Sequence, residues 1–281
     1  MLCRVGDNMA SITDCVVEGL KYPFTDLKKL LSFGALFAIV NIISLASSVI
    51  SIDLIRKING LGVQHISQHL SKVPMNDVYI IAFLAIVSFI ISLIILGYQY
   101  NVMKFSIDRK NDLPEFRDIL NLLINGLKFF IVCLAYNIVP VIALLMGIEL
   151  INLYNSDYFL SIISIVLFII CNFLLIMGLA NMVDSGKFIK AFDLRQIIDK
   201  IENLGWIKYV GIIIFTFIIN GIIVAAISVI FMFLLGVMAM LTNQALVITA
   251  VITIIEGVLI SPYISLFMNR VFGSIYREAI K

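Results

Sequence analysis

The sequence is poor in charged residues. Asp, Glu, Lys and Arg together make up 14% of the 281 residues, whereas hydrophobic residues make up 62%. An average soluble domain is about one quarter charged and about half apolar. Because too few polar side chains are present to cover a water-soluble surface, the composition excludes a soluble enzyme, a secreted domain and a disordered chain. It predicts a multi-pass membrane protein.

Other features are scarce or missing. The chain has only four cysteines. Cys3 and Cys15 precede the first long apolar stretch, and Cys133 and Cys171 lie inside later ones, so we expect free thiols and no disulfide framework. The net charge is only +2, which creates no strong field for nucleic acid. There is no HExxH, P-loop or GxSxG sequence. We therefore expect a non-enzymatic protein with no cofactor and no nucleic-acid partner.

Six apolar stretches are long enough to cross the lipid bilayer, since a transmembrane helix needs about 20 residues. The predicted spans are 32–52, 78–103, 129–150, 159–183, 207–235 and 245–268, which leave an N-terminal segment (1–31) and a tail (269–281). Three short spans could replace the last two, but the basic tail would then lie outside. We predict an all-α integral membrane protein with six transmembrane helices in three hairpin units, each preceded by an amphipathic interfacial helix.

Lysine and arginine are distributed unevenly between the two sides of this predicted topology. With six spans, 17 of the 20 basic residues lie on one side: 16 in the N-terminal segment, the second and fourth connections and the tail, and Lys208 at the entry to the fifth span. The other side has only Arg56, Lys57 and Lys72. Cytoplasmic loops carry the excess of basic residues. We therefore predict a cell-membrane location with both termini in the cytoplasm, and loops too short for a soluble catalytic domain.

A short pattern recurs before the first and third spans. Residues 24–34 and 116–126 both read F-x-D-[LI]-x-x-L-L-x-x-G, and a looser copy runs from Phe192 to Gly205. A carboxylate near a helix N-terminus suits the helix dipole, and the spacing of the leucines gives one apolar face. The pattern predicts an interfacial helix before each hairpin, with a glycine that permits a bend or close packing. The alternative is that any segment entering from inside uses Asp, Leu and Gly.

A further amphipathic interfacial helix is predicted over Ser11–Leu20, because Ile12, Val16 and Leu20 share one helical face. The alternative is that this face binds a cytoplasmic partner.

The segments that enter and leave the membrane carry a family resemblance. They are Lys21-Tyr22-Pro23, residues 113–116 with 126–128, residues 178–182, and Gly205-Trp206 with Tyr209. These segments resemble a largely archaeal family of multi-pass membrane proteins, Domain of Unknown Function 4013, from about Leu20 to the C-terminus. The resemblance implies a six-helix topology and no established activity or site residues. Family members usually begin near the first amphipathic segment, which makes Met9 an alternative start to Met1.

One carboxylate, that of Glu256, lies near the middle of the last predicted span. An ionised group at the bilayer centre costs about 2.5–3.5 kcal/mol on insertion scales. Glu256 is therefore interpreted either as a proton- or cation-coupling group or as a protonated side chain bonded to a neighbouring helix. Pro262 frees the backbone carbonyl of Val258, which would suit a binding site or simply a kinked helix.

Asparagines lie within four different predicted spans, at Asn41, Asn137, Asn172 and Asn220. They could line a substrate path, although hydrogen bonds between helices are the commoner role. Glu256, Asn220 and Asn172 form the candidate intramembrane polar site.

The two histidines of the chain, His65 and His69, fall in the outer connection between the first two spans. Their i, i+4 spacing could hold a metal, but no convincing third ligand is close in sequence. They are weak metal candidates, and a solvated helix face is the preferred interpretation.

Two functional classes remain. The first is a non-enzymatic membrane component that binds lipid or a partner protein, including a second copy in a homo-oligomer. The short loops and the single central acid favour it. The alternative is a small-solute or ion transporter or channel with Glu256 as the coupling residue, since a three-unit repeat can enclose a path. An intramembrane enzyme ranks third.

Overall fold

The computed structural model describes residues 12–59, 74–154, 159–241 and 245–281. All regular elements in these ranges are helical, which confirms the predicted all-α fold. The α-helices are α1 (Ile12–Lys21), α2 (Leu27–Asn59), α3 (Met75–Ile107), α4 (Ile119–Tyr154), α5 (Phe159–Ser185), α6 (Leu194–Leu204), α7 (Trp206–Leu241), α8 (Ala245–Ile255) and α9 (Ser261–Ala279). Two 3-10 turns (Tyr22–Thr25 and Phe188–Phe192) and one π-helical segment (Glu256–Ile260) complete the described elements.

Six helical stretches of the described chain are long and apolar enough to cross a membrane, which confirms the predicted number of spans. They are Leu27–Lys57, Met75–Ile107, Ile119–Glu149, Ile162–Ser185, Trp206–Met238 and Val247–Ala279. The ambiguous, charge-poor region after residue 206 thus forms two such stretches and not three. The grouping into three hairpin units stays a prediction.

The chain divides into two compact units. Unit 1 consists of residues up to Leu27, residues 96–223 and residues 264–281, and unit 2 consists of residues 28–95 and 224–263.

In unit 1, helix α9 contributes heavily to the core. Phe267, Val271 and Ile275 are fully buried in it. Gly19 of α1 packs so closely on α9 that an added Cβ would lie 2.5 Å from the Val271 side chain. Residues 269–279, which the sequence leaves beyond the last predicted span, are the largely buried end of this helix.

In unit 2, helix α2 packs backbone to backbone against the π-helical segment. An added Cβ at Gly34 would lie 2.1 Å from the carbonyl oxygen of Val258, and one at Gly257 would lie 2.7 Å from Cα of Ala38. Pro262 has no N–H, so the Val258 carbonyl lacks its ordinary helical donor. The carbonyl that the sequence analysis considered for a binding site is therefore covered by Gly34.

The recurring aspartates each directly precede a helix: Asp26 before α2, Asp118 before α4 and Asp193 before α6. The Asp193 carboxylate accepts a hydrogen bond from the Gln196 N–H at 3.2 Å, as an N-cap does. The helices that follow differ, because α2 and α4 continue without a break into their membrane-length stretches. Only the third copy has a separate helix, α6, which ends at Leu204 and is followed by Gly205 with a φ of 90°.

Candidate functional site

A partly enclosed cavity of about 310 Å³ lies in unit 1. Helices α3, α4, α5, α7 and α9 all contribute lining residues. Four lining side chains are polar and uncharged: Gln99, Asn172, Ser265 and Asn269. The others are apolar: Phe129, Leu175, Ile176, Leu179, Phe217, Met268 and Phe272. Because none of these lining side chains carries a charge, the cavity can offer hydrogen bonds but no ion pair.

The polar side of this cavity is organised around Ser265. The Gln99 side-chain amide donates to the Ser265 hydroxyl at 2.8 Å, which links α3 to α9. Asn269 lies one turn after Ser265 on the same face of α9 and donates to the Ser265 carbonyl at 2.9 Å. Both hydrogen bonds use the side-chain nitrogens of Gln99 and Asn269, and no hydrogen bond to their side-chain oxygens is found among the described residues.

Asn172 approaches the same cavity from α5. Its side-chain amide donates to the Asn137 side-chain oxygen at 3.2 Å and to the Phe168 carbonyl at 2.8 Å. The first of these bonds joins α5 to α4. The asparagine is half-buried, lines the cavity, and ties α5 to α4 through its side-chain nitrogen.

Asn220, the second predicted site residue, contacts the cavity wall from α7. Its side-chain nitrogen lies 3.8 Å from the sulfur of Met268, a lining residue. Its side-chain oxygen is buried and has no hydrogen-bond partner among the described residues. A buried acceptor without a donor costs about 1–3 kcal/mol, which is the kind of defect found where a ligand or water completes a site.

An apolar groove of about 630 Å³ adjoins the cavity on helices α5 and α7. Three residues line both the cavity and the groove: Asn172, Ile176 and Phe217. The rest of the groove is apolar: Phe168, Ile169, Phe173, Ile213, Ile214 and Ile218. All these residues fall within membrane-length stretches. A cavity with four polar side chains that shares lining residues with an apolar groove suits a molecule with a polar head and a hydrocarbon chain.

Glu256 belongs to unit 2, whereas Asn172 and Asn220 belong to unit 1. It is the first residue of the π-helical segment, and its side chain is exposed on the single chain. The carboxylate forms no hydrogen bond with the described residues. Glu256 therefore does not line the unit 1 cavity.

A buried charge cluster in unit 1 was not anticipated from the sequence. Arg270 is 1% exposed, and its guanidinium donates to the carboxylate of Glu18 at 2.5 Å and to the side chain of Asn111 at 2.8 Å. It also lies over the Tyr22 ring at 4.5 Å. The i, i+7 spacing of Arg270 and Arg277, which places both arginines on one face of α9, was the signal that could have revealed this cluster.

Electrostatics in the cluster favour the ionised form of Glu18. Burial disfavours its charge, but the hydrogen bond from Arg277 and the charge of Arg270 outweigh burial and lower the pKa of the Glu18 carboxyl below its ordinary value. The cluster ties α1 to α9 within unit 1 and lines neither the cavity nor the groove.

A second polar cluster in unit 1 centres on Lys200. Its ammonium donates to the Asn181 side-chain oxygen at 2.6 Å and also contacts the Tyr276 hydroxyl. The Tyr276 hydroxyl lies 3.2 Å from the Asp184 carboxylate. Burial lowers the pKa of Lys200, and the charge of Asp184 offsets this only in part. Each member of the cluster has a partner, which suits a structural role.

The weak metal candidates His65 and His69 lie outside the described residues. In the described ranges, no group of three or more His, Cys, Asp or Glu side chains could hold a metal ion.

Comparison with known proteins identifies relatives of unknown function. A family model described as "Protein of unknown function (DUF4013)" matches residues 80–235. The chain is 26% identical to Uncharacterized protein MJ1189 of Methanocaldococcus jannaschii over 273 residues, 94% of this chain and 95% of that protein. It is 29% identical to Uncharacterized protein MJ0233 of the same organism over 236 residues, 80% of this chain and 82% of that protein. No solved structure matches the chain.

Proposed function

Since the chain belongs to the DUF4013 family of proteins of unknown function, we propose a function from its own cavities: it is a non-enzymatic membrane protein that binds a lipid in unit 1. The observation that carries the proposal is that the cavity, which has four polar lining side chains, and the apolar groove share Asn172, Ile176 and Phe217. A lipid head group would lie in the cavity, and its chain would lie along α5 and α7.

The chemistry of the cavity supports binding without catalysis. General acid–base and nucleophilic catalysis need a titratable side chain or an activated nucleophile within hydrogen-bond reach of the substrate. The lining side chains supply amides and one hydroxyl, that of Ser265, which accepts a hydrogen bond from Gln99. This set can orient a head group but has no group suited to move its protons.

The proposed location is the cell membrane, with both termini in the cytoplasm. The support is the placement of 17 of the 20 lysines and arginines on one side of the six-span topology.

Native mass spectrometry of protein extracted in mild detergent tests the lipid site. We expect one lipid retained per chain. Replacing Ile169 and Ile218 by Trp would fill the groove, because both line it and are about half exposed, at 50% and 53%. The double variant should lose the lipid. In the control, Ile170 and Ile222, which are 49% and 63% exposed and do not line the groove, are replaced by Trp.

Retention of the lipid by the groove-filling variant, or equal loss from both double variants, would contradict the site. A fixed oligomer or a co-purified protein without any bound lipid would instead favour the partner-binding role.

An alternative function is a small-solute or ion transporter or channel with Glu256 as the coupling residue. The observation that favours it is the π-helical segment that begins at Glu256, since such distortions frequently occur at functional sites. Proton-dependent flux into proteoliposomes should then be lost in Glu256→Gln, while membrane insertion stays intact. Unchanged flux in a working assay would remove the coupling role.

A further inference from the structure

The side chains that line the unit 1 cavity bear on which lipid head groups could bind there, because none of them is charged. We propose that the bound lipid carries an uncharged head group that both donates and accepts hydrogen bonds, such as an alcohol, an amide or a sugar. This inference rests on the proposed lipid site and specifies its ligand class.

Hydrogen-bonding capacity is the first argument. Amide side chains both donate and accept, and a hydroxyl does the same. The side-chain nitrogen of Gln99 already donates to the Ser265 hydroxyl, and that of Asn269 donates to the Ser265 carbonyl. Both residues line the cavity, and no described residue donates to their oxygens, so a head group that supplies donors would match them. A head group with only acceptors would leave these oxygens unpaired.

Charge is the second argument. An ion that leaves water is destabilised unless an opposite charge meets it. No acidic or basic side chain lines either the cavity or the groove. Arg270 follows the lining residue Asn269 directly, but it does not line the cavity, and its two terminal nitrogens are bonded to Glu18, to Asn111 and to the Lys110 carbonyl. A phosphate, a carboxylate or an ammonium group would therefore enter the cavity without a counter-charge.

Four photoreactive probes with the same octadecyl chain test this charge selection. Each carries a diazirine in the chain, and the heads are an alcohol, a primary amide, a sulfate and a trimethylammonium group. The protein is reconstituted in phosphatidylcholine vesicles, and labelled peptides are mapped on residues 168–176 and 213–218. We expect the alcohol and amide probes to saturate this labelling at a mole fraction at least tenfold lower than the two charged probes.

A variant without the polar lining provides the second measurement. Gln99→Leu with Asn269→Leu should raise the half-saturating mole fraction of the alcohol probe at least tenfold. A fifth probe, an octadecane with the same diazirine, should still label the groove of this variant, which shows that the protein has folded. Gln196→Leu is the control, because Gln196 lies on α6 and does not line the cavity.

The outcomes separate this inference from the proposed function. If no probe labels the groove saturably, the lipid site itself is wrong. If the charged probes label as well as the neutral ones, or if the double variant binds the alcohol unchanged, the lipid site stands and the uncharged head group is wrong.

Discussion

Glu18 and Arg270 form an ion pair between the first and the last helix of the described chain. The distance from Arg270 Nη2 to Glu18 Oε1 is 2.5 Å, and Arg277 Nη2 lies 3.0 Å from the other oxygen of the same carboxylate. The Arg270 side chain is 1% exposed, whereas that of Glu18 is 32% exposed. The carboxylate of Glu18 on α1 thus supplies the counter-charge for the buried Arg270 on α9, and this ion pair holds the two helices together within unit 1.

Replacing Glu18 by Ala should destabilise the protein by about 3–5 kcal/mol, because the guanidinium of Arg270 would stay buried without a counter-charge. The midpoint of thermal unfolding in mild detergent measures the effect. Glu115→Ala is the matched control. Its pair with Arg117 is solvent-exposed, with side chains 53% and 85% exposed, so its loss should cost at most about 1 kcal/mol. Equal losses in the two variants would contradict a structural role for the buried pair.

The stability that Glu18 provides should depend on pH in the acidic range only. The arginines lower the pKa of Glu18 in the folded protein despite its burial, so the contribution is complete above the ordinary pKa of a glutamate, about 4.3. It is lost as the pH falls through the lower, folded pKa. The difference in unfolding midpoint between wild type and Glu18→Gln should be constant from pH 7 to 5 and shrink below that. A difference that grows on acidification would contradict a lowered pKa of Glu18 in the folded protein.

Cys15 should report whether α1 is docked. Burial, with the charge of Glu278 nearby, raises the pKa of the Cys15 thiol to about 11, and the side chain is 1% exposed. In a variant with Cys3, Cys133 and Cys171 replaced by Ser, maleimide at pH 7.5 should label Cys15 at least tenfold more slowly than after denaturation. Adding Glu18→Gln should speed labelling, whereas adding Glu115→Gln should not. Rapid labelling of the folded protein would show that α1 is not packed as described.

A methyl group at Gly97 should destabilise unit 1. An added Cβ would lie 1.9 Å from the carbonyl oxygen of Leu122, a backbone atom that cannot move away without shifting α4. Gly97→Ala should cost about 1–3 kcal/mol. Gly221→Ala is the control, because nothing in the described chain lies within 4 Å of its added Cβ and alanine favours helix by up to about 1 kcal/mol. A loss of stability in Gly221→Ala would indicate that a partner packs on this glycine.

Asn220→Leu should raise the unfolding midpoint of lipid-free protein, because it removes a buried oxygen that has no partner in the described chain. The expected gain is about 1 kcal/mol. Asn137→Leu should lower the midpoint instead, since Asn137 accepts the hydrogen bond of Asn172. If Asn220→Leu destabilises the protein, its oxygen must be paired with a water or ligand that completes the cavity.

Local features of the sequence determined the membrane character of this chain. Hydropathy is summed over neighbouring residues, so six apolar stretches predict six helices whatever their arrangement. The recurring aspartates likewise predict helix starts, because an N-cap interacts with the first turn of its own helix, as Asp193 does with Gln196.

Only the tertiary structure decided which faces meet. Periodicity assigns a residue to a helix face but does not say which helix lies opposite, so Gln99 could not be placed beside Ser265, 166 residues away. The same reason hid the pairing of Arg270 with Glu18 and made Arg270 look like a tail charge. The sequence shows that Pro262 frees the backbone carbonyl of Val258, but only the packing of α2 shows that Gly34 covers this carbonyl. The candidate site of this protein therefore arises from contacts between helices, which a single sequence does not specify.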